Sequence, residues 1–457
     1  MTSVDRSVAQ LEDTIVAVAT SNGRGALALV RLSGPDAFAI AGKHLRPQPS
    51  QPRVTQLCRV HDGNEVLDQA LVTLFPGPNS FSGDDTVEIS THGGFLVPSS
   101  IVAALISSGA RQALPGEFTR RAVLNGKLDI LQAEAVSDLI DANSHAMQRT
   151  ALGQLDGGLS RRLLLLRDNI IELEALIVYD IDFPEEDDGP VPRQRVENAA
   201  TKIVGSLKAL LATSPAGELI REGAIVVIAG PPNAGKSSLF NALLGRSRAI
   251  VTEIPGTTRD ALEAVIDSGD WPLRLVDTAG LRETDDRIEK LGIEVSERYL
   301  SSAHVILACA ESAEGLEATV KRVARNSSAP VLRIRTKADL VADSNQLMPS
   351  APTIAVSAET GTGLQDLLDT IDEILREDHG EIVPDLPVLT RARHRYAITV
   401  ACSELEQFQQ AWREESLPAT VASVHLRTAV TALEELIGTV EVEDVFDRVF
   451  SSFCVGK

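Results

Sequence analysis

Gly230-Pro231-Pro232-Asn233-Ala234-Gly235-Lys236-Ser237 is the stretch on which the reading of this chain turns. It spells G-x-x-x-x-G-K-[ST]. Ala224-Ile225-Val226-Val227-Ile228-Ala229 precedes it, a short apolar and β-branched run that reads as a buried strand. Ser238-Leu239-Phe240-Asn241-Ala242-Leu243-Leu244 follows and reads as a helix. Strand, glycine loop and helix start converge backbone N–H groups on one point, where the helix dipole also favours an anion. The motif predicts that Lys236 reaches the β- and γ-phosphates of a nucleotide and that the Ser237 hydroxyl ligates Mg²⁺.

The residues downstream choose the base. Gly256-Thr257-Thr258 supplies a threonine hydroxyl that can complete the Mg²⁺ shell. Leu273-Arg274-Leu275-Val276 alternates like a strand and ends in Asp277-Thr278-Ala279-Gly280, a D-x-x-G motif. Asp277 would hold Mg²⁺ through water, and the Gly280 N–H would sense the γ-phosphate. Val331-Leu332-Arg333-Ile334-Arg335 then leads into Thr336-Lys337-Ala338-Asp339. An aspartate here accepts two hydrogen bonds that guanine offers and adenine does not. Ser357-Ala358-Glu359 follows a second short strand and places N–H groups near the guanine O6. Four ordered motifs predict a GTP-binding, Ras-like domain. Thr336 stands where most GTPases have Asn, as it does in Rho-type enzymes. Two readings of it stand: a guanine-site residue that keeps base binding but loses the Asn brace on the phosphate loop and so weakens it, or a strand-end threonine without ligand contact.

The catalytic apparatus departs from Ras. Leu281 follows D-x-x-G in place of the glutamine that orients water, and no arginine finger in cis is evident. Asn233 reads either as a turn-former chosen for its backbone or as an oxygen donor to a monovalent cation beside the phosphates. Glu289 reads either as a solvated helix-face residue or as the group that orients water.

The chain has 457 residues, which suggests about three domains. No uninterrupted apolar run approaches the ~18 residues of a membrane span, and no signal-peptide pattern opens the sequence. Four scattered cysteines without C-x-x-C predict a reducing cytoplasm and argue against disulfides or zinc. A net charge of −21 is the wrong sign for gripping nucleic acid along the whole surface. Aromatic residues at 4% are poor material for base stacking. Work on RNA would need a local patch or a basic partner.

Residues 1–120 read as an α+β unit, with strands at 14–18, 26–31 and 86–90 and a helix at 98–108. Residues 121–215 read as helical, with runs at 128–143, 155–179 and 196–213. Residues 216–378 hold the nucleotide motifs, and 379–457 are helical again, at 389–410 and 417–453. This order predicts a Ras-like P-loop GTPase domain inserted in a helical domain and preceded by an α+β domain.

Beyond the nucleotide motifs, several segments resemble the MnmE (TrmE) family of tRNA modification GTPases, within the TrmE-Era-EngA-Septin-like group. They are Gly25-Ala26-Leu27-Ala28-Leu29-Val30-Arg31-Leu32-Ser33-Gly34, Phe75-Pro76-Gly77-Pro78-Asn79-Ser80-Phe81, His92-Gly93-Gly94, Pro115-Gly116-Glu117-Phe118, Asn125-Gly126-Lys127-Leu128-Asp129 and Gln132-Ala133-Glu134-Ala135. Phe453-Cys454-Val455-Gly456-Lys457 resembles the family's F-C-[IV]-G-K ending. The resemblance implies a tetrahydrofolate-binding and dimerising N-terminal domain. It implies K⁺ coordination by Asn233, Thr252, Ile254 and Thr257, within a GTP-contacting stretch that includes Glu253, Pro255 and Gly256. It implies Mg²⁺ ligation by Ser237 and Thr258, water orientation by Glu289, and arginines near the switches at Arg259 and Arg282. Arg31, Glu88, Lys127 and Lys457 correspond to the lining of a 5-formyl- or 5,10-methylene-tetrahydrofolate site. Cys454 matches a cysteine required for tRNA modification. The implied assembly is a cytoplasmic homodimer that works with the FAD-containing MnmG (GidA), which carries most of the tRNA contact.

Overall fold

The structure is a computed structural model that describes residues 13–21, 23–182, 192–246, 262–268, 271–277, 297–340, 352–380, 386–414, 418–438, 449–450, 453 and 455–456. The chain falls into two compact units. One comprises residues 1–137 with 434–457, and the other residues 138–433. Compactness thus groups 121–137 and 434–457 with the N-terminal sheet.

The first unit is built on a seven-stranded sheet of β1 (Ile15–Val18), β2 (Leu27–Ser33), β3 (Leu45–Arg46), β4 (Gln56–Asp62), β5 (Glu65–Phe75), β6 (Thr86–His92) and β7 (Arg111–Gln112), in spatial order β3-β4-β5-β6-β2-β1-β7. All pairs are antiparallel except β1 with β7. One face carries the alternate residues Val30, Leu32, Val72, Val87 and Ile89, which are buried with Ile101 and Leu105 of the helix Leu96–Ser107. The opposite face carries Leu29, Arg31 and Glu88, in the alternation expected of a one-sided antiparallel sheet. The β4–β5 hairpin has no counterpart among the expected strands. Its exposed leucines, Leu57 and Leu71, blur the inside-outside alternation. Val449, Phe450, Phe453 and Val455 help to close this unit. Phe450 and Phe453 bury against Ile130 and Ala133, and Val455 makes an antiparallel bridge to Pro115.

The second unit contains a six-stranded sheet of β8 (Ala224–Ala229), β9 (Leu262–Asp267), β10 (Pro272–Asp277), β11 (Val305–Ala310), β12 (Val331–Arg335) and β13 (Ile354–Ala355), in order β13-β12-β11-β8-β10-β9. Every pair is parallel except β9 with β10. Such a sheet is covered on both faces, which is why β11 is buried at all six positions and β8 at five. This is the arrangement of a Ras-like P-loop GTPase, with its loops above the carboxyl ends of the parallel strands.

Helices flank this sheet in sequence. The run expected over 155–179 is the helix Gly158–Asp182, and the helix His145–Leu155 before it has no counterpart among the expected helices. Gly157 at φ +78° supplies the left-handed residue that separates them. Arg193–Leu211 packs on Ala392–Glu414. Residues 193–222 reach a mean hydropathy of 1.2 in their most apolar window, and half of that window is buried, as in a core helix. Asp138 joins the segments where the GTPase module begins and ends. Its Oδ1 accepts from Arg221 Nε at 3.1 Å and from Arg391 Nη2 at 2.7 Å.

Candidate active site

The phosphate loop runs from β8 into the helix Lys236–Arg246, whose Lys236, Leu239, Phe240 and Leu243 are buried at i, i+3, i+4 and i+7 spacing. This face packs in one core with β8 and β10. Gly230 opens the loop against β11. A Cβ there would stand 2.4 Å from the Cys309 carbonyl oxygen, so only glycine lets the backbone pass. Asn233 takes a left-handed conformation at φ +65° with its side chain exposed. That backbone is a turn-former's, and the exposed side chain is compatible with either reading of Asn233.

Lys236 is 6% exposed, and its Nζ donates to the Pro231 carbonyl at 2.8 Å. The ammonium thus already lies across the loop that is to hold phosphates. Ser237 Oγ donates to Asp277 Oδ2 at 2.7 Å, and Asp277 is fully buried at the end of β10. Two oxygens this close, one of them a carboxylate, form a hard donor set suited to Mg²⁺. Ser238 is exposed on the next step of the helix.

The base-reading residues gather beside the loop. Thr336 is 3% exposed, and its Oγ1 donates to the Ala234 carbonyl at 2.8 Å. The threonine thus supplies a brace to the phosphate loop, where the loss of asparagine is expected to leave none. Lys337, at φ +57°, pairs its Nζ with Glu311. Ala338 N–H donates to Val356 O at 3.1 Å and starts a short 3-10 turn over Ala338–Leu340. Asp339 is exposed and accepts at 2.5 Å from Ser357 Oγ, whose residue is fully buried. A buried hydroxyl thereby fixes the direction of an exposed carboxylate.

Gly235, Ser238, Thr336, Lys337, Asp339, Ala358 and Glu359 line one cavity of about 620 Å³. Leu239, Asn241, Ala242, Leu340 and Val356 complete it. Sequence reasoning passed over Asn241 and Ala242. Their i+3 and i+4 spacing from Ser238 was the signal, since those positions share a helix face. Behind the loop, burial pushes the Cys309 thiol up to about 12, opposed by Lys236 and aided by Asp277. That thiol is an inert packing group.

In the N-terminal unit, Arg31 and Glu88 are direct partners across β2 and β6. Glu88 Oε1 accepts from Arg31 Nη2 at 2.8 Å and from Nε at 3.1 Å. The guanidinium lies 5.1 Å from the Phe81 ring centroid and 5.7 Å from that of Phe118. Lys127 is exposed on a turn that Asn125 ties to the Phe81 loop, through Nδ2 to Ser82 O at 2.8 Å. Thr252, Glu253, Ile254, Pro255, Gly256, Thr257, Thr258, Arg259, Thr278, Ala279, Gly280, Leu281, Arg282, Glu289, Cys454 and Lys457 lie outside the described residues. Among the described residues no three His, Cys, Asp or Glu side chains gather as a metal centre.

Two family models match this sequence. The one described as GTP-binding protein TrmE N-terminus covers residues 14–127, and the one described as MnmE helical domain covers 130–454. The chain is 40% identical to the tRNA modification GTPase MnmE of Moorella thermoacetica, across 98% of this chain and 100% of that protein. It is 43% identical to the protein of that name from Methylobacterium radiotolerans, across 97% and 99%. It is 36% identical to that of Aquifex aeolicus, across 98% and 100%.

Proposed function

This chain belongs to the MnmE family of tRNA modification GTPases, and from that premise we propose a potassium-activated GTPase working as a cytoplasmic homodimer beside the FAD-containing MnmG. Family membership carries the coarser statement: the protein is a GTP hydrolase of tRNA modification. The finer reading assigns it the addition of an aminomethyl or carboxymethylaminomethyl group to C5 of the wobble uridine, position 34 of certain tRNAs. The carbon would come from tetrahydrofolate.

One observation supports the GTPase chemistry above the others. The Ser237–Asp277 pair, the buried Lys236 and the Asp339–Ser357 pair all belong to strand ends, or to the segments that follow them, along the carboxyl edge of the parallel strands of one sheet. In this reading Lys236 turns from Pro231 to the β- and γ-phosphates, Asp339 reads guanine, and Thr336 keeps the loop from spreading. Mg²⁺ at Ser237, Thr258 and, through water, Asp277 would neutralise phosphate charge, and K⁺ at Asn233, Thr252, Ile254 and Thr257 would supply the positive charge that an arginine supplies elsewhere. Glu289 orients the attacking water, the task left open by Leu281. The Thr336 hydroxyl does the bracing that an asparagine does in most GTPases, which supports a working nucleotide site.

The folate proposal draws on Arg31 and Glu88, an ion pair flanked by two aromatic rings. An ion pair on such a face can open toward a ligand that carries carboxylates and a pterin edge. Lys127 and Lys457 complete that site in the proposal, and Cys454 serves the modification chemistry.

The test is GTP turnover in K⁺ against Na⁺ at matched ionic strength, repeated with tetrahydrofolate and MnmG. Turnover at least tenfold faster in K⁺ is expected; equal rates remove the cation from the mechanism. Glu289→Ala should slow hydrolysis with GTP affinity intact. Cys454→Ser should keep GTPase activity and lose wobble modification, read by nucleoside mass spectrometry.

A further inference from the structure

The β9–β10 hairpin is held at both ends, and the two holds serve different parts of the protein. At one end Asp277, the last residue of β10, receives the Ser237 hydroxyl of the phosphate loop. Beside it Glu263, the second residue of β9, accepts from the Tyr299 phenol and pairs with Arg274 at 3.0 Å. Glu263 follows the Thr252–Thr258 stretch in sequence, and Tyr299 follows the segment that carries D-x-x-G and Glu289. At the other end Asp267 Oδ2 accepts from the backbone N–H of His145 at 3.0 Å, with the imidazole Nε2 at 3.8 Å. His145 is the first residue of the helix His145–Leu155, where Ser144 Oγ caps Met147 N–H at 3.1 Å. The next two residues, Ala146 and Met147, are buried in the same core as Ile266 and Trp271 of the hairpin.

Between these ends run six cross-strand pairs, from Pro272↔Asp267 to Asp277↔Leu262. That makes one stiff piece about 17 Å long. We propose that this hairpin couples nucleotide state at the phosphate loop to the helical layer, through the latch of Asp267 on the first turn of His145–Leu155. A carboxylate on an unpaired helix N–H is a charge-assisted bond. It is directional, so a small shift of the hairpin is felt at the helix start.

Coupling is reciprocal: if the nucleotide moves the latch, cutting the latch changes the preference between nucleotides. Dissociation constants for GDP and a non-hydrolysable GTP analogue are measured on the full chain for wild type, Asp267→Asn and the control Lys208→Gln. The control removes an exposed pair to Glu406 elsewhere in the helices. The GDP-to-analogue ratio should change at least threefold in Asp267→Asn and stay within 1.5-fold of wild type in Lys208→Gln. An unchanged ratio in Asp267→Asn, or an equal change in both variants, overturns the proposal. Wild type gives a second measurement that needs no foldable variant. In nitrogen-15 histidine spectra the His145 amide should move when GDP is replaced by the analogue, while His425, paired with Glu404, stays put. A stationary His145 overturns the coupling as well.

Discussion

The nucleotide site draws on one loop and the strand ends around it, whereas the Arg31–Glu88 face joins two side chains 57 residues apart on neighbouring strands. In the first, backbone does much of the work: a glycine that lets the loop pass Cys309, carbonyls of Pro231 and Ala234 that hold Lys236 and Thr336. In the second, side chains do all of it. A site made of backbone demands particular residues at fixed spacing, and so it is written as a motif. A site made of side chains across a sheet demands only that two positions face the same way.

The largest effect that separates the two regions is expected from Lys236→Ala. Turnover of GTP should fall by about three powers of ten in kcat/KM, as when a charge-stabilising group is lost, while folate affinity stays within twofold. A loss of folate binding in that variant would break the separation. Next, Arg31→Ala should raise the dissociation constant for tetrahydrofolate by about tenfold to a hundredfold, the worth of hydrogen bonds to a charged group. GTP turnover should stay within twofold. Calorimetric titration reads the first quantity and phosphate release the second. Smaller again, Thr336→Ala should weaken GTP binding about five- to tenfold through the lost buried hydrogen bond to Ala234, and Thr336→Asn should restore it.

The smallest effect is thermal and sets the two units apart by pH. His304 Nδ1 accepts the Ile225 N–H at 2.9 Å, which requires a neutral ring. Burial first, and then the neighbouring His379, hold His304 below the ordinary histidine value. Because its folded value is depressed, the stability it contributes is complete above pH 6.5 and is lost as pH falls through the folded value. In the other unit burial works against the Asp13 carboxylate, but Arg111 and Arg121 hold it below its ordinary 3.8. Its contribution therefore survives until pH falls under 3.8. Both tryptophans, Trp271 and Trp412, belong to the second unit, so their fluorescence follows it alone. Its melting temperature should drop by about 2 to 4 °C between pH 7 and 5. His304→Gln, which keeps an acceptor, should flatten that slope; an equally steep slope would assign it to other groups.

The same contrast explains what could be read from residues alone. β8 lies where its apolar run places it, at Ala224–Ala229, because a strand buried on both faces is apolar throughout, whereas β12, at Val331–Arg335, is mostly half-buried and carries Arg333 and Arg335. The β4–β5 hairpin escaped notice because exposed Leu57 and Leu71 break the alternation. Glu311 and Asn241 were missed because neither belongs to a motif; they matter through what they touch. Arg31 and Glu88 were legible only by resemblance. Nothing in 57 residues of separation says that two side chains will meet, and only the pairing of β2 with β6 brings them together.

The bridge from Val455 to Pro115 and the packing of Phe450 and Phe453 on Ile130 have a consequence for synthesis on the ribosome. The 296 residues of 138–433 are made between the two parts of the first unit. At ordinary rates of translation that interval lasts roughly 15 to 60 s. Throughout it, the apolar seat at Ile130 and Ala133 waits without its cover. The nascent N-terminal domain therefore keeps that apolar seat open until Phe450 and Phe453 emerge.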